Sequence, residues 1–178
     1  LILTEGYMDA ITLHQYGFDC AVASLGTSLT EDHVTLLAKY TREVVITYDA
    51  DAAGQNATQR AISLLEQSGV QVRVLRMSGA KDPDEFLKKF GADRFRLLLD
   101  RTENPVEYQL RTIASKFDLS LDDQKAEFGK QAARYLATLP SAIERDLYGA
   151  RAAEQAGITP TLRPEQLTVA DFQHISRF

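Results

Sequence analysis

Short apolar runs alternate with amphipathic stretches over the first half of the chain. These patterns predict buried strands near residues 1–4 and 20–25, a strand rich in β-branched residues near 43–48, and an alternating strand near 71–75. Apolar residues at helical spacing lie between them, as in the stretch from Ala57 to Leu65 that ends near Gly69. Ser28 and Glu31 fit a capping box at the start of another helix. Strands that alternate with helices favour a parallel sheet covered on both faces.

The pattern changes after Met77. From a helix start at Asp82 to about residue 157 every periodic segment is helical, as in the apolar positions between Phe128 and Leu136. The final stretch has two prolines and mixed polarity, which is typical of a linker or a tail. We therefore predict an α/β domain over residues 1–100, an all-α helical subdomain over 101–157 and a linker or tail over 158–178.

Composition and charge exclude several classes of protein. The net charge is −5, which argues against a simple basic nucleic-acid coat. One cysteine and three histidines allow neither an internal disulfide nor a zinc cluster. No apolar run is long enough to span a membrane and no signal peptide is visible, so we expect a cytosolic protein. The chain starts at Leu1 without Met, and we expect it to be a piece of a longer protein.

Acidic residues follow two of the predicted strands. Glu5 comes after the first strand, and Asp49 and Asp51 come after the third. The working residues of open α/β sheets lie at the carboxyl ends of the strands. Because strand side chains alternate, Asp49 and Asp51 are expected to point the same way. Gly6 and Gly54 are expected to leave room for a close ligand.

Converging carboxylates repel one another. At about 4 Å each pair costs roughly 1 kcal/mol in water and roughly 4 kcal/mol at an effective dielectric constant of 20. A fold tolerates such a cluster when a cation or a proton neutralises it, and oxygen ligands select hard ions such as Mg²⁺ or Mn²⁺. The chemistry that follows is phosphoryl or nucleotidyl transfer, in which metal ions stabilise the attacking and leaving oxygens.

Each acid also has a purely structural interpretation. Glu5 could be a polar residue at a strand end, and Asp51 could cap the following helix. Asp9 could favour the dipole of the first helix. Asp82 and Asp84 fit a helix start in which a proline takes the first position. For Asp82 and Asp84 the residues alone favour the structural interpretation.

Four segments together resemble the TOPRIM domain of bacterial DnaG-type DNA primase. They occur in the order and spacing of that family: TEGYMD at 4–9, ASLGT at 23–27, YDADAAG at 48–54 and KDPDEF at 81–86. The resemblance is strong over residues 1–100. It extends more loosely to about residue 157, where the chain resembles the helical subdomain that follows TOPRIM. The implied fold is a compact parallel sheet flanked by helices, shared with topoisomerases and some nucleases.

The resemblance implies roles for individual residues. It implies a metal centre for Mg²⁺ or Mn²⁺ formed by acids at six positions: Glu5, Asp9, Asp49, Asp51, Asp82 and Asp84. Within that centre Glu5 is implied to be catalytic, as a metal ligand or a general base. Lys81 is a candidate for contact with substrate phosphate, although a solvated lysine is the simpler interpretation.

The resemblance also implies an activity and partners. The reaction is synthesis of short RNA primers from ribonucleoside triphosphates on a single-stranded DNA template, with the primer 3′-hydroxyl attacking the α-phosphate. The replicative helicase is expected to bind through a domain absent from this chain, and zinc is expected only in another absent domain. A basic subdomain before TOPRIM is missing too, so we expect this fragment to be weakly active or inactive alone. The implied location is the bacterial cytoplasm, at the nucleoid and replisome.

Three other functions remain open from the sequence. The first is another TOPRIM enzyme, a topoisomerase or an OLD-type nuclease, but the KDPDEF segment at 81–86 favours primase. The second is a non-catalytic scaffold that binds helicase or nucleic acid, which has no reason to retain mutually repelling acids. The third is a receiver or phosphatase domain with Asp49 as nucleophile, which leaves the stretch from Glu5 to Asp9 unexplained.

Overall fold

The computed structural model describes residues 1–25, 28–49 and 51–157. The chain divides into two compact units, Leu1–Pro105 and the residues from Val106 onward. They are called here the α/β unit and the helical unit. The predicted linker or tail at 158–178 lies outside the described residues.

The α/β unit is built on a parallel sheet of four short strands. In chain order the strands are β1 (Ile2–Thr4), β2 (Ala21–Ala23), β3 (Glu43–Ile46) and β4 (Gln71–Val74). In the sheet they lie in the order β2-β1-β3-β4. Four helices connect or follow them: α1 (Tyr7–Gln15), α2 (Glu31–Tyr40), α3 (Ala52–Gln67) and α4 (Pro83–Leu99). Every strand pair is parallel, so all the carboxyl ends meet at one edge of the sheet. This is the predicted α/β class with a parallel sheet and flanking helices.

Apolar side chains cover both faces of the sheet. On one face Ile2 and Val45 pack with the apolar residues of α1 and α4. Strand side chains alternate, so Ile46 faces the opposite side, where it is fully buried. The rings of Phe18 and Phe95 meet edge to face at 4.9 Å between centroids, a contact worth about 0.5–1.5 kcal/mol beyond its buried area. These contacts fix the helices that carry acids onto the sheet.

The second strand is shorter and more exposed than predicted. The sequence predicts a buried strand over residues 20–25, but β2 covers only Ala21–Ala23. It is an edge strand that pairs with β1 alone, so Cys20 and Val22 are exposed. Apolar character therefore indicated the strand correctly, but not its place at the edge.

The cap of α2 lies at a different residue from the predicted one. Thr30, not Ser28, is the N-cap residue, and its hydroxyl accepts a hydrogen bond from the His33 backbone N–H at 3.3 Å. In return, His33 Nδ1 accepts the Thr30 backbone N–H, also at 3.3 Å. The predicted Ser28–Glu31 box is wrong because the helix begins at Glu31 itself, which leaves Ser28 two residues before the cap.

The helical unit contains three helices among the described residues: α5 (Pro105–Ala114), α6 (Asp122–Leu136) and α7 (Ala142–Gln155). Its core is formed by Phe128 and Leu136 of α6 together with Leu110 and Ala152 from the other two helices. An ion pair joins Arg151 of α7 to a glutamate of α5. Among the described residues, no helix has the length and apolar character needed to cross a membrane.

Candidate active site

The acids predicted for the site lie at the carboxyl edge of the sheet or near the N-termini of helices. Glu5 directly follows β1, and Asp49 lies in the loop after β3, the neighbour of β1 in the sheet. Asp51 and Asp82 are the N-cap residues of α3 and α4. Asp9 lies in the first turn of α1 and is buried. Parallel strands with adjacent ends thus place acids from separate parts of the chain close together.

Glu5 is the most constrained of these acids. Burial raises the pKa of Glu5 above its ordinary value, and the charges of Asp49, Asp51 and Asp9 raise it further. A hydrogen bond from the Asp49 backbone N–H partly opposes this. The Oε1 atom of Glu5 is buried and has no hydrogen-bond partner among the described residues. A buried carboxylate oxygen without a partner fits a position completed by a cation or a proton.

Asp9 belongs to the same cluster. Burial raises its pKa, and so do the charges of Asp82 and Asp49. Backbone N–H groups oppose the shift, among them that of Asp84, which donates to Asp9 Oδ1 at 3.2 Å. A Cβ at residue 6 would lie 3.0 Å from Asp9 Oδ2, so Gly6 makes room for this carboxylate. The predicted use of Gly6, room for a ligand, stays a prediction.

Asp49 faces two acids that also act as helix caps. Burial raises the pKa of Asp49, followed by the charges of Asp82 and Asp51, while Lys81 lowers it. The Oδ1 atom of Asp51 accepts the Gly54 N–H at 2.8 Å, and Oδ1 of Asp82 accepts a backbone N–H of α4 at 2.7 Å. Each cap uses only one carboxylate oxygen. The structural and electrostatic interpretations of Asp51 and Asp82 therefore hold together.

Asp84 has different surroundings from the other five acids. Its carboxylate accepts hydrogen bonds from the Lys88 ammonium at 2.7 Å and from the Thr12 hydroxyl at 2.5 Å. These bonds, with Lys88 first, lower the pKa of Asp84. Asp84 is therefore a carboxylate balanced by the Lys88 cation beside the repelling cluster. Its role as a metal ligand stays a prediction.

The acids converge for a different reason from the predicted one. Strand alternation cannot align Asp49 with Asp51, because β3 ends at Ile46. Instead the loop after β3 runs directly into α3, and Asp51 caps that helix. A Cβ at residue 54 would lie only 2.2 Å from the Asp49 carbonyl oxygen. The space at Gly54 is therefore taken by the Asp49 backbone. The prediction that Gly54 leaves room for a ligand is wrong.

The donor set suits a hard divalent ion. Among the described residues no three acid, histidine or cysteine side chains form a ready-made metal cage. Mg²⁺ rarely uses such cages, since it usually takes one or two carboxylates together with waters and substrate phosphates. Repelling carboxylates and an unpartnered Glu5 oxygen fit that mode of binding.

Lys81 lies beside the cluster and is largely exposed. Its ammonium lies 3.4 Å from Oδ2 of Asp82, and its charge lowers the pKa of Asp49. An exposed ion pair of this kind adds little to stability. Lys81 is therefore free to exchange partners, and its contact with substrate stays a prediction.

A cavity of about 200 Å³ next to Glu5 was not predicted from the sequence. Besides Glu5 it is lined by Ser24, Ser28, Leu29, Tyr48, Ala53, Ala57 and Arg60. Burial raises the pKa of the Tyr48 phenol, and the charge of Glu5 raises it further. One signal was available: Ala53, Ala57 and Arg60 share one helical face that begins two residues after Asp51.

The cluster predicts an unusual pH dependence for the protein without metal. The raised pKa values of Glu5, Asp9 and Asp49 mean that the folded state binds more protons than the unfolded state above their ordinary values of 4.5 and 3.8. Stability is then expected to rise as pH falls from neutrality towards about 4.5. The measurement is thermal unfolding in EDTA across this range.

Asp84, whose pKa is lowered, affects stability in a more acidic range than the three acids whose pKa is raised. Asp84 contributes stability that is lost only as pH falls below its ordinary value of 3.8. A protein whose stability in EDTA falls steadily from pH 7 to pH 4.5 would contradict the proposed repulsion. Saturating Mn²⁺ should weaken or reverse the trend, because the ion prefers the ionised cluster.

Comparison with known proteins reveals relatives along nearly the whole chain. A family described as Toprim-like matches residues 2–87, and one described as the DnaB-helicase binding domain of primase matches residues 106–161. The DNA primase of Clostridium acetobutylicum is 37% identical over 158 residues, covering 89% of this chain and 26% of the relative. That of Escherichia coli K12 is 32% identical, covering 94% and 29%. The chain thus spans less than a third of these curated relatives.

Solved structures show the same similarity. A DNA primase domain from Pseudomonas aeruginosa is 30% identical with a TM-score of 0.65, covering 98% of this chain and 54% of that one. The Aquifex aeolicus primase, with zinc-binding and RNA polymerase domains, is 32% identical with a TM-score of 0.61, covering 92% and 38%.

The parallel sheet, with acids at its carboxyl edge and on the helices that follow, defines the first unit as Toprim-like. Primases account for the second unit as well, since their similarity continues past residue 106. The chain is therefore similar to a segment of the bacterial DnaG-type DNA primases. The topoisomerase, nuclease and scaffold alternatives are not favoured by these comparisons.

One expectation about the second unit is wrong. We expected no helicase-binding segment in this chain, but the match at residues 106–161 carries that description. The same segment also lies within solved catalytic cores, because a DnaG catalytic core covers 94% of this chain. Helical periodicity indicated the fold of this unit and gave no sign of a partner.

Proposed function

We propose that this chain supplies the metal-binding acids of a nucleotidyl-transfer centre that synthesises short RNA primers on single-stranded DNA. The observation that carries the proposal is the convergence of five carboxylates, from Glu5, Asp9, Asp49, Asp51 and Asp82, whose charges oppose one another. A stable fold has no use for that repulsion unless a cation offsets it. The similarity to primases over both units supports the same reaction.

Asp49 and Asp51 would hold Mg²⁺ or Mn²⁺, with Asp9 and Asp82 close enough to add charge or bind its waters. When bound, the ion supplies positive charge against the oxygens of the reacting phosphates. The caps on Asp51 and Asp82 fix one oxygen of each carboxylate. Their orientation is thus set before substrate arrives, which favours transition-state stabilisation.

Glu5 would accept the proton of the primer 3′-hydroxyl. That oxygen then attacks the α-phosphorus of a ribonucleoside triphosphate, and pyrophosphate leaves. A raised pKa suits a general base, because catalysis is most efficient when the pKa lies near the working pH. The unpartnered Oε1 is the natural acceptor atom.

The proposed substrates and partners are a single-stranded DNA template, ribonucleoside triphosphates and the RNA primer. A DnaG catalytic domain that is 32% identical has been solved bound to single-stranded DNA. Lys81 is proposed to meet a substrate phosphate beside Asp82. With a net charge of −5, the 178-residue chain alone is expected to hold a polyanionic template poorly and to be weakly active or inactive. We place its work in the bacterial cytoplasm, at the replication fork.

A second proposed role is contact between the helical unit and the replicative helicase. The family match at residues 106–161 favours it. So do Ile143 and Leu147 of α7, which lie one turn apart and are 80% and 47% exposed. Exposed apolar pairs of this kind suit the core of a protein interface.

Replacing Glu5 by glutamine tests the proposed chemistry. In a full-length primase that contains this chain, Glu5→Gln is expected to lower primer synthesis by about a hundredfold or more, because glutamine cannot accept the proton. Stabilisation by Mn²⁺ is expected to persist, since Asp49 and Asp51 remain. Primer synthesis on a DNA template and thermal shift with Mn²⁺ measure the two effects.

Glu154→Gln is the matched control, since it removes the same charge from an exposed position on α7. Equal activity of Glu5→Gln and Glu154→Gln would refute a catalytic Glu5. No template-directed synthesis by the unmodified full-length protein, with Mg²⁺ or Mn²⁺ present, would refute the proposed function itself.

A further inference from the structure

The cavity beside Glu5 has features of a binding site. Its volume of about 200 Å³ exceeds that of a single water many times. One part of the lining is apolar, from Leu29, Ala53 and Ala57, and the other part is polar. The polar part combines the Glu5 carboxylate with the Arg60 guanidinium and hydroxyl groups. A mixed lining of this kind is typical of ligand sites, where a few polar groups orient an otherwise apolar contact.

The two charged groups of the cavity do not neutralise each other. Arg60 makes no ion pair or hydrogen bond with any described residue. Glu5 keeps a buried oxygen that also has no partner among the residues described. The cavity lining therefore combines a carboxylate with a guanidinium that is not paired to it.

Those two groups define the ligand chemistry. A hydroxyl group of a ligand can donate a hydrogen bond to Glu5, and an anionic group of the same ligand suits Arg60. Arginine is well suited to phosphate because its planar fork makes two parallel hydrogen bonds. A ribose carries hydroxyl donors, and the phosphate attached to it lies within the same small unit.

We propose that Arg60 binds a phosphate of a ribonucleotide whose sugar hydroxyl faces Glu5. This inference rests on the proposed function, because it takes Glu5 to be the group that meets the reacting hydroxyl. Either the primer terminus or the incoming triphosphate provides this chemistry. In both cases Arg60 contacts substrate and binds it with the sugar beside Glu5.

The test compares Arg60→Gln with Arg42→Gln in a full-length primase that contains this chain. Arg42 is an exposed arginine just before β3, at the amino end of the sheet and away from the site. Arg60→Gln is expected to raise one Michaelis constant about tenfold or more, with kcat within about twofold, since a charged hydrogen bond to phosphate is lost. Arg42→Gln should change neither constant.

Two arms identify the ligand. A rise in KM for ribonucleoside triphosphate assigns Arg60 to the incoming nucleotide, and a rise in KM for a preformed RNA primer on template assigns it to the primer terminus. Arg60→Lys, which keeps the charge, should recover part of the loss. Unchanged constants in both arms, or a change equal to that of Arg42→Gln, would overturn the inference.

A binding measurement separates this inference from the proposed function. Fluorescence anisotropy with labelled RNA primer on template, and with a labelled ribonucleoside triphosphate, reports contact without turnover. If the unmodified protein binds and Arg60→Gln weakens binding, the cavity is a ribonucleotide site even where Glu5→Gln retains activity. If Arg60→Gln binds both probes normally while Glu5→Gln is inactive, Arg60 has no such role and the proposed function stands.

Discussion

Replacing Asp49 by asparagine is expected to abolish primer synthesis and yet to make the metal-free protein more stable. Asp49 is the centre of the repelling cluster, facing Asp82 and Asp51. Loss of its charge should stabilise the folded state by a few tenths to about 1 kcal/mol, because Asp49 is partly exposed and solvent screens its charge. The same change removes a ligand of the proposed metal, so activity should fall by at least about a hundredfold.

Thermal unfolding with EDTA and with Mn²⁺ checks both halves of this prediction. The unmodified protein should gain stability with Mn²⁺, and Asp49→Asn should start higher and gain little. Asp146→Asn, an exposed change on α7, is the control and should behave like the unmodified protein. An Asp49→Asn protein that is less stable in EDTA, or that retains its response to Mn²⁺, would contradict the electrostatic role of the cluster.

The acids could be located from the sequence because the sheet is parallel. Glu5 follows β1 and Asp49 follows β3, and neighbouring parallel strands end at the same edge. The alternation argument for Asp51 was wrong, because the period of two holds only inside a strand and β3 ends at Ile46. The sequence pattern does not mark where a short strand ends to within two residues, and here those residues decide how the acids converge.

Other parts of the site could not be predicted, because they depend on tertiary contacts. In the sequence Arg60 is an ordinary polar position of an amphipathic helix. Only the folded structure places it with Glu5 in the lining of one cavity. Asp84 resembles the other acids in sequence, and Lys88 is its i,i+4 neighbour on α4, but Thr12 reaches it only once α1 packs on α4. Local spacing can place a cation beside an acid, as Lys88 beside Asp84, and the packing of helices decides which acids meet one another.

Replacing Gly54 by alanine is expected to damage both the fold and the site. An alanine Cβ there would lie 2.2 Å from the Asp49 carbonyl oxygen and 2.9 Å from its carbon. Backbone atoms cannot rotate away as a flexible side chain can, so the loop after β3 must move. We expect a net loss of about 2 kcal/mol, since overpacking typically costs about 1–3 kcal/mol and outweighs the better helix propensity of alanine. Thermal unfolding in EDTA measures this loss.

Gly129→Ala is the matched control, because a Cβ at Gly129 of α6 meets no atom within 4 Å. That change should be neutral or stabilising by about 0.5–1 kcal/mol, as expected for glycine in a helix. Gly54→Ala should also weaken stabilisation by Mn²⁺, because the displaced backbone carries Asp49 away from Asp51 and Asp82. Equal stability of the two variants would mean that Asp49 does not approach α3 closely. The convergence of the acids would then need another cause, since that approach is what places Asp49 opposite the cap of the same helix.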